Sequence, residues 1–203
     1  MTASPPASNP SHRILEKLLA GNQRYVTGNL VHHHQSGSRM RAIAAGQHPF
    51  AIILGCADSR VPPEIIFDQG LGDLFVIRVA GNILDDAILG SIEYAVEELG
   101  TALVLVLGHE RCGAVAATVK HAEVVGHIST LINAIQPAVD RAKNEPGDLL
   151  DNAIRANIEL VVAQLKSSMP VADLVLKNKL TVVGAQYNLK CGSVDLIAEP
   201  LCS

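Results

Sequence analysis

The stretch FAIILGCADSRVPPE, residues 50–64, passes from a continuous apolar run into polar residues at alternate positions. Such a run is typical of a strand that is buried on both faces. Cys56, Asp58 and Arg60 follow it, two residues apart. Because residues two apart on an extended segment face the same side, these side chains can converge if the chain stays extended past Gly55. The stretch therefore predicts a buried strand that ends at a polar site.

The rest of the chain alternates between strand-like and helical patterns. Further strands are predicted over 74–80 (LFVIRVA), 102–109 (ALVLVLGH) and 179–189 (KLTVVGAQYNL). Helices are predicted over 88–100, over 113–122, and over a longer region to about residue 168 with breaks near Pro137 and at 145–148. This alternation predicts an α/β fold with a mostly parallel central β-sheet flanked by helices. Binding sites in such sheets gather at the carboxyl ends of the strands.

The N-terminal part is predicted to be separate from the sheet. Residues 1–10 form a Ser/Pro-rich lead, and 11–34 form a helical arm and loop. Ser11 is a candidate N-cap of the helix, and Gly21 or Gly28 is a candidate stop. The arm is expected to pack on its own domain or on a partner's. We expect the adjacent histidines 32–34 to form a solvated loop, because neighbouring side chains point in different directions.

Composition excludes some classes of protein. The chain has 203 residues, 48% of them hydrophobic, which suits one domain with a sizeable core. The formal net charge is −4 with no basic block, which argues against nucleic-acid binding. No apolar run is long enough for a membrane span. The compartment stays open: it is cytoplasmic by default, and periplasmic if the lead follows a removed signal or lipid anchor.

A second group of polar residues follows another strand. In GHERCGA, residues 108–114, His109 and Cys112 are three apart in a turn that enters a helix. With Cys56 and Asp58 they offer the thiolate, imidazole and carboxylate ligands that suit Zn²⁺. Two other interpretations stay open on the residues alone. One is a buried thiol pair with a satisfied histidine, and the other is cysteine nucleophile catalysis with His109 as base.

These motifs carry a resemblance to a known family. GCADSRVPPEIIFDQGLGDLFVIRVAGN, then GSIEYAV, then LGHERCGAV resembles a β-class carbonic anhydrase, and the similarity runs from about Leu18 to Leu189. The resemblance implies a zinc enzyme, with residues 35–190 as its catalytic domain and 191–203 as a C-terminal tail. It implies Zn²⁺ as cofactor and Cys56, His109 and Cys112 as its ligands.

The resemblance also implies a reaction, in which zinc-bound hydroxide attacks CO₂ and gives bicarbonate and a proton. Asp58 would be the fourth ligand in a closed state, or would be held off the metal by Arg60 in an open state. Some family members carry a Trp at the position of Ile53, which with the equivalents of Arg78 and Tyr187 forms an inhibitory bicarbonate site. Because Ile53 replaces the indole, we expect the open form here.

Further residues and an assembly are implied on the same basis. The partner would be a second copy of the chain, in a homodimer at least that often pairs further into a tetramer or octamer, with the helical arm packed on the neighbour. Substrate-binding positions, with the first reaching across the dimer interface, are implied at Gln47, Phe75, Ala80, Tyr94 and Gly113.

Cys191 and Cys202 lie outside these motifs. Eleven residues apart, they are either two free thiols or an intrachain disulfide that pins a tail, folded as a hairpin around Gly192 or left extended. A disulfide near the end of a chain would be easily reduced, so we expect it to modulate activity in response to a thiol–disulfide reductant such as a thioredoxin.

Two other functions remain open at this point. The same scaffold could hydrolyse carbonyl sulfide or carbon disulfide, because site contacts rather than the fold choose the substrate. A catalytically silent zinc-binding protein is disfavoured, because a purely structural site would not need the carboxylate and guanidinium of Asp58 and Arg60.

Overall fold

A five-stranded sheet forms the centre of the structure, a computed structural model that describes residues 10–197. The strand order is β2-β1-β3-β4-β5, with every neighbouring pair parallel except β4 and β5. The predicted α/β fold with a mostly parallel sheet is therefore confirmed. The strands are β1 (Ala51–Gly55), β2 (Leu74–Arg78), β3 (Leu103–His109), β4 (Thr181–Tyr187) and β5 (Val194–Ile197).

The two inner strands that precede the polar motifs are buried along their whole length. All residues of β1 and β3 are inaccessible, as expected for continuous apolar strands covered on both faces. The register pairs Gly55 with Arg78 of β2 on one side and with Leu107 of β3 on the other. Because the three strands are parallel, their carboxyl ends come to the same edge of the sheet.

Helices cover both faces of this sheet. Residues 80–82 add a short 3₁₀ turn between β2 and α4. None of the helices in the described part of the chain is long and apolar enough to span a membrane. The helices are α1 (Pro10–Val26), α2 (Gly37–Ala42), α3 (Pro63–Ile66), α4 (Asp86–Glu97), α5 (Gly113–Val119), α6 (Ile128–Ala142), α7 (Leu149–Ser167) and α8 (Val171–Leu176).

Of the two breaks predicted in the helical region, one is confirmed and one is wrong. The break at 145–148 is confirmed, since it separates α6 from α7. The break near Pro137 is wrong, because Pro137 lies inside α6. Buried residues on both sides of it, Ile135 and Val139, belong to one apolar face. We infer that packing of this face keeps the helix continuous despite the hydrogen bond that proline cannot donate.

The N-terminal helix packs on its own chain. Leu18 is fully buried, and the Asn22 side chain donates to the carbonyls of Ile66 and Gly192. Ser11 is not the N-cap, because α1 already includes Pro10, and its hydroxyl instead donates to the Ala102 carbonyl. The arm's contact with a partner chain stays a prediction.

Of the two candidate stops for α1, Gly28 is the one the structure uses. Gly28 has a φ of +70° just beyond the end of the helix, as a C-terminal glycine commonly does. Gly21 lies within the helix, where a Cβ atom would come within 1.9 Å of the Phe67 carbonyl oxygen. Gly21 therefore permits a close approach between α1 and the chain after α3.

The histidine-containing segment after α1 is a loop, as predicted, and a buried carboxylate holds it in place. The Asp68 side chain, 1% exposed, accepts hydrogen bonds from Arg24 Nε at 2.6 Å and from the backbone N–H groups of Val31 and His32. Burial alone would raise the pKa of Asp68, but these hydrogen bonds outweigh it and lower the pKa below its usual value. The carboxylate form is therefore the one that stabilises this loop.

We predict that Asp68→Asn lowers the free energy of unfolding by about 2–3 kcal/mol at pH 7, because hydrogen bonds to a charged acceptor are lost. A depressed pKa gives stability that is present above the ordinary carboxyl pKa of about 3.9 and is lost as pH falls through the lower folded-state value. The difference between the wild type and the variant should therefore narrow as pH falls below about 4. Urea unfolding across a pH series measures it.

Asp86→Asn, at an exposed aspartate in the first turn of α4, is the matched control, and we expect a change within about 0.5 kcal/mol. A constant difference between wild type and Asp68→Asn down to pH 3 would contradict the role given to the charge of Asp68.

Candidate metal centre

Three ligand-type side chains converge at the carboxyl edge of the sheet. Cys56 follows β1 directly, His109 is the last residue of β3, and Cys112 precedes α5. The Cys56 and Cys112 sulfur atoms are 4.0 Å apart, and one ligand atom from each of the three residues lies within 4.8 Å of the others. All three residues are buried. The structure thus brings together the residues that the two motifs predicted to meet.

The orientation of His109 leaves one ring nitrogen free for a metal. Its Nδ1 lies 2.8 Å from the Glu110 carbonyl oxygen. Since a carbonyl can only accept, Nδ1 carries a proton, and in the neutral ring Nε2 then carries the lone pair. Nε2 is buried and has no hydrogen-bond partner within the described residues. A buried unpaired acceptor beside two thiols fits a metal ligand.

The two thiols are electrostatically coupled. A hydrogen bond from the Cys112 thiol, followed by those from the Gly81 and Asp58 backbone N–H groups, lowers the pKa of Cys56, although burial opposes this. The same contact with Cys56, together with burial, raises the pKa of Cys112. These opposite shifts favour one thiolate beside one thiol. A divalent cation would supply the charge that lets both become thiolates, so the donor set fits a metal such as Zn²⁺.

Asp58 lies beside this cluster but is held by Arg60. Arg60 Nε donates to Asp58 Oδ1 at 2.9 Å and Nη2 donates to Oδ2 at 2.7 Å, and the Arg60 backbone N–H also donates to Oδ1. These hydrogen bonds hold the pKa of the Asp58 carboxyl far below its usual range. Oδ2 is 3.9 Å from His109 Nε2. An ionised carboxylate thus faces the cluster while both its oxygens are bound to arginine.

Arg78 fixes the loop that carries Cys56 and Asp58. Its Nε donates to the Cys56 carbonyl at 2.9 Å and its Nη2 to the Asp58 carbonyl at 2.5 Å. The Arg78 guanidinium is therefore engaged with the backbone of the site. Of the other two positions compared with the inhibitory bicarbonate site, Ile53 is fully buried within β1, and the Tyr187 hydroxyl is 3.3 Å from that of Tyr25.

The residues expected to bind substrate differ in where the structure places them. The rings of Phe75 and Tyr94 form a tilted pair with centroids 6.3 Å apart, and Tyr94 is 49% exposed. Ala80 begins the 3₁₀ turn after β2, and Gly113 is the first residue of α5 next to Cys112. Gln47 is exposed on the loop before β1, so its reach into a partner's site stays a prediction.

The second cysteine pair is described only in part. The chain turns at Gly192, whose φ is +78°, and β5 returns antiparallel to β4, which matches the hairpin alternative. Cys191 is exposed and forms no disulfide within residues 10–197. Cys202 lies outside the described residues. The pairing of the two cysteines, and any reductant, therefore stays a prediction.

Several residues that build the site were not predicted to do so. Glu110 orients His109 through its carbonyl, Arg78 binds two site carbonyls, and the Gly81 N–H lies 3.3 Å from Cys56 Sγ. A further one is Asn157 of α7, whose side chain donates to the Gly81 carbonyl at 2.8 Å. Its signal in the sequence is a polar residue on the apolar stripe of a helix, between Ile154 and Val161.

We predict that Cys112→Ser removes most of the metal-binding capacity, since a hydroxyl is a much poorer ligand than a thiolate for the metals that this donor set suits. Purified protein incubated with Zn²⁺ and then freed of excess should hold about one ion per chain, and the variant well under half of that. Elemental analysis by mass spectrometry gives the ratio.

Cys191→Ser is the control, because that thiol is exposed and is not one of the three grouped ligand residues. It should leave the metal content unchanged. Full metal retention by Cys112→Ser would show that the ion binds elsewhere.

Comparisons with known proteins show the family of the chain. Residues 51–194 match the family model described as carbonic anhydrase. The chain is 40% identical over 196 residues to carbonic anhydrase 2 of Mycobacterium tuberculosis, covering 94% of each chain. It is 39% identical over 196 residues to a carbonic anhydrase of Mycolicibacterium smegmatis, covering 94% of this chain and 95% of that one.

A solved structure shares the architecture. The Coccomyxa β-carbonic anhydrase, determined in complex with acetazolamide, superimposes with a TM-score of 0.70 at 26% identity, over 94% of this chain and 84% of that one. With a family match over most of the chain, relatives near 40% identity and a solved structure that shares its fold, this chain belongs to the β-class carbonic anhydrases.

Proposed function

We propose that the protein catalyses the reversible hydration of carbon dioxide to bicarbonate and a proton, with zinc as its metal. The observation that carries the proposal is the buried Cys56–His109–Cys112 cluster with an arginine-bound carboxylate directly beside it. A structural metal site needs four protein ligands, whereas a catalytic one uses three and keeps a position for the reactant. Here three ligand residues are buried together, and the fourth candidate, Asp58, is paired elsewhere.

Zinc is proposed on the chemistry of the donors. Two thiolates and one imidazole are soft to borderline ligands and match Zn²⁺ better than they match Mg²⁺ or Ca²⁺. When bound, zinc would act as a Lewis acid that makes water nucleophilic near neutral pH. The Glu110 carbonyl keeps His109 in the tautomer that offers Nε2, so no rearrangement of the ring is needed for binding.

Asp58 and Arg60 have complementary parts in this mechanism. The carboxylate, kept ionised by Arg60, is an acceptor that can orient a water molecule at the centre and receive its hydrogen bond. The two arginine hydrogen bonds also keep both carboxylate oxygens from becoming metal ligands. The paired arrangement corresponds to the open form, and we propose that it is the resting form of the enzyme.

The substrate pocket is proposed to have an apolar wall and a polar donor. Phe75 and Tyr94, with Ala80 at the nearby turn, would contact the apolar CO₂ molecule, and Gly113 would adjoin it beside Cys112. Gln47, exposed on its loop, would donate to bicarbonate in a partner's site. Since β2 is an edge strand with half-buried apolar side chains, we propose that a homodimer at least completes the pocket.

Redox modulation through Cys191 is a separate proposal. The thiol is exposed at the hairpin, and a hydrogen bond with the Ser193 hydroxyl lowers its pKa, which favours the reactive thiolate. Pairing with Cys202 would join the end of the chain to this hairpin.

We predict that Arg60→Gln lowers the rate of CO₂ hydration by about ten- to a hundredfold, the usual effect of removing a group that orients a metal-site residue. Without the guanidinium, the pKa of Asp58 rises towards its ordinary value and its oxygens become free to bind the metal. Stopped-flow hydration with an indicator dye, on zinc-loaded and reduced protein, measures the rate.

Arg155→Gln provides a control that removes the same charge from an exposed position on α7 and should leave the rate unchanged. A zinc-loaded wild type without activity on CO₂ would contradict the proposed function, and the same protein should then be assayed with carbonyl sulfide and carbon disulfide. Equal rates for Arg60→Gln and wild type would contradict the role of the pair.

A further inference from the structure

A short turn after β2 presents a backbone donor to one of the site's sulfur atoms. The 3₁₀ turn of residues 80–82 contains two residues with positive φ, Gly81 at 76° and Asn82 at 43°. This conformation directs the Gly81 N–H at Cys56 Sγ, 3.3 Å away. A Cβ atom at Gly81 would lie 2.7 Å from Ile135 Cδ1, so the turn is tightly enclosed as well as conformationally special.

The other side of the same peptide region is held by a distant helix. Asn157, in the middle of α7 and 1% exposed, donates from Nδ2 to the Gly81 carbonyl at 2.8 Å, across 76 residues of sequence. Its neighbours on the buried face of α7 are apolar, including Ile154, Ile158 and Val161. Asn157 is therefore the polar contact that this face of the helix directs at the turn.

The Asn157 amide is only partly satisfied by hydrogen bonds. Its Oδ1 has no hydrogen-bond partner in the described part of the chain, and neither has Nδ2 of the buried Asn82. An apolar residue at 157 would avoid the cost of burying an unpaired acceptor. A buried, partly unpaired amide next to the metal centre calls for a functional explanation.

We propose that Asn157 is a positioning residue of the metal centre, which holds the Gly81 turn so that its N–H donates to the metal-bound sulfur of Cys56. An N–H donor withdraws electron density from a thiolate and fixes the direction of its lone pairs. Contacts of this kind around metal ligands tune the affinity for the metal and the electronic character of the bond. The inference rests on the proposed metal site. It means that α7 supports one of the three ligands, Cys56, through the Gly81 turn.

The test compares two buried asparagines that differ in what they hold. Asn157→Leu removes the donor to Gly81, while Asn22→Leu removes a buried amide that contacts Ile66, Gly192 and Val194 and none of the site residues. Both proteins are loaded with Co²⁺ for absorption spectra and titrated with Zn²⁺ against a competing chelator. We expect Asn157→Leu to shift the thiolate-to-cobalt charge-transfer band and to weaken Zn²⁺ binding by about tenfold. Asn22→Leu should lower the melting temperature but keep the wild-type spectrum and affinity.

The outcomes separate this inference from the proposed function. Wild-type protein that binds neither Co²⁺ nor Zn²⁺ at the cluster would overturn both. Normal metal binding with an unchanged spectrum and affinity in Asn157→Leu would overturn the positioning role alone, as would equal changes in the two leucine variants. Asn157→Ala repeats the test with a smaller side chain.

A measurement on the unmodified chain gives an answer even if neither variant at position 157 folds. In protein loaded with ¹¹³Cd²⁺, a scalar coupling between the metal and the Gly81 amide proton is expected across the N–H···S hydrogen bond. Absence of this coupling, with metal bound, would overturn the proposal.

Discussion

Two buried thiols 4.0 Å apart cannot both be thiolates unless positive charge lies between or beside them. Cys56 and Cys112 are such a pair. The Nε2 atom of His109 lies beside them and has no hydrogen-bond partner within the described residues. Much of the surrounding structure serves this arrangement. The Glu110 carbonyl sets the tautomer of His109, and the backbone N–H groups of Gly81 and Asp58 surround the Cys56 sulfur.

The parallel sheet supplies the geometry. Because β1 and β3 are neighbours that run in the same direction, Cys56 and His109 reach the same edge, and the turn into α5 adds Cys112. Close packing on both faces limits the register of these strands, since a slip by one residue would put a side chain at the place of Gly108, where a Cβ atom would lie 2.4 Å from Ile158 Cδ1. A site assembled from strand ends therefore derives its accuracy from the core.

Charge control at the site uses two arginines in different ways. Arg60 binds the Asp58 carboxylate through both side-chain oxygens, whereas Arg78 binds the backbone carbonyls of Cys56 and Asp58. Arg60 keeps both carboxylate oxygens paired, and Arg78 determines the path of the loop that carries Asp58. Helix α7 adds one further contact, in which the Asn157 side-chain amide donates to the Gly81 carbonyl.

The sequence by itself determined the four parallel strands, the class of fold and the residues that meet at the site, whereas β5 was not predicted as a strand. Apolar runs identify buried strands. The pairing of Asp58 with Arg60 comes from a turn at residues 59–60 and not from the extended chain that the alternation predicted. The sequence did not determine the continuity of α6 through Pro137 or the start of α1 before Ser11, because packing of an apolar face and contacts beyond the local window decide these. The roles of Arg78, Glu110 and Asn157 were decided only by tertiary structure. Each acts through a hydrogen bond to a backbone or ring atom, and which atom lies within reach depends on strand register and helix placement rather than on local sequence.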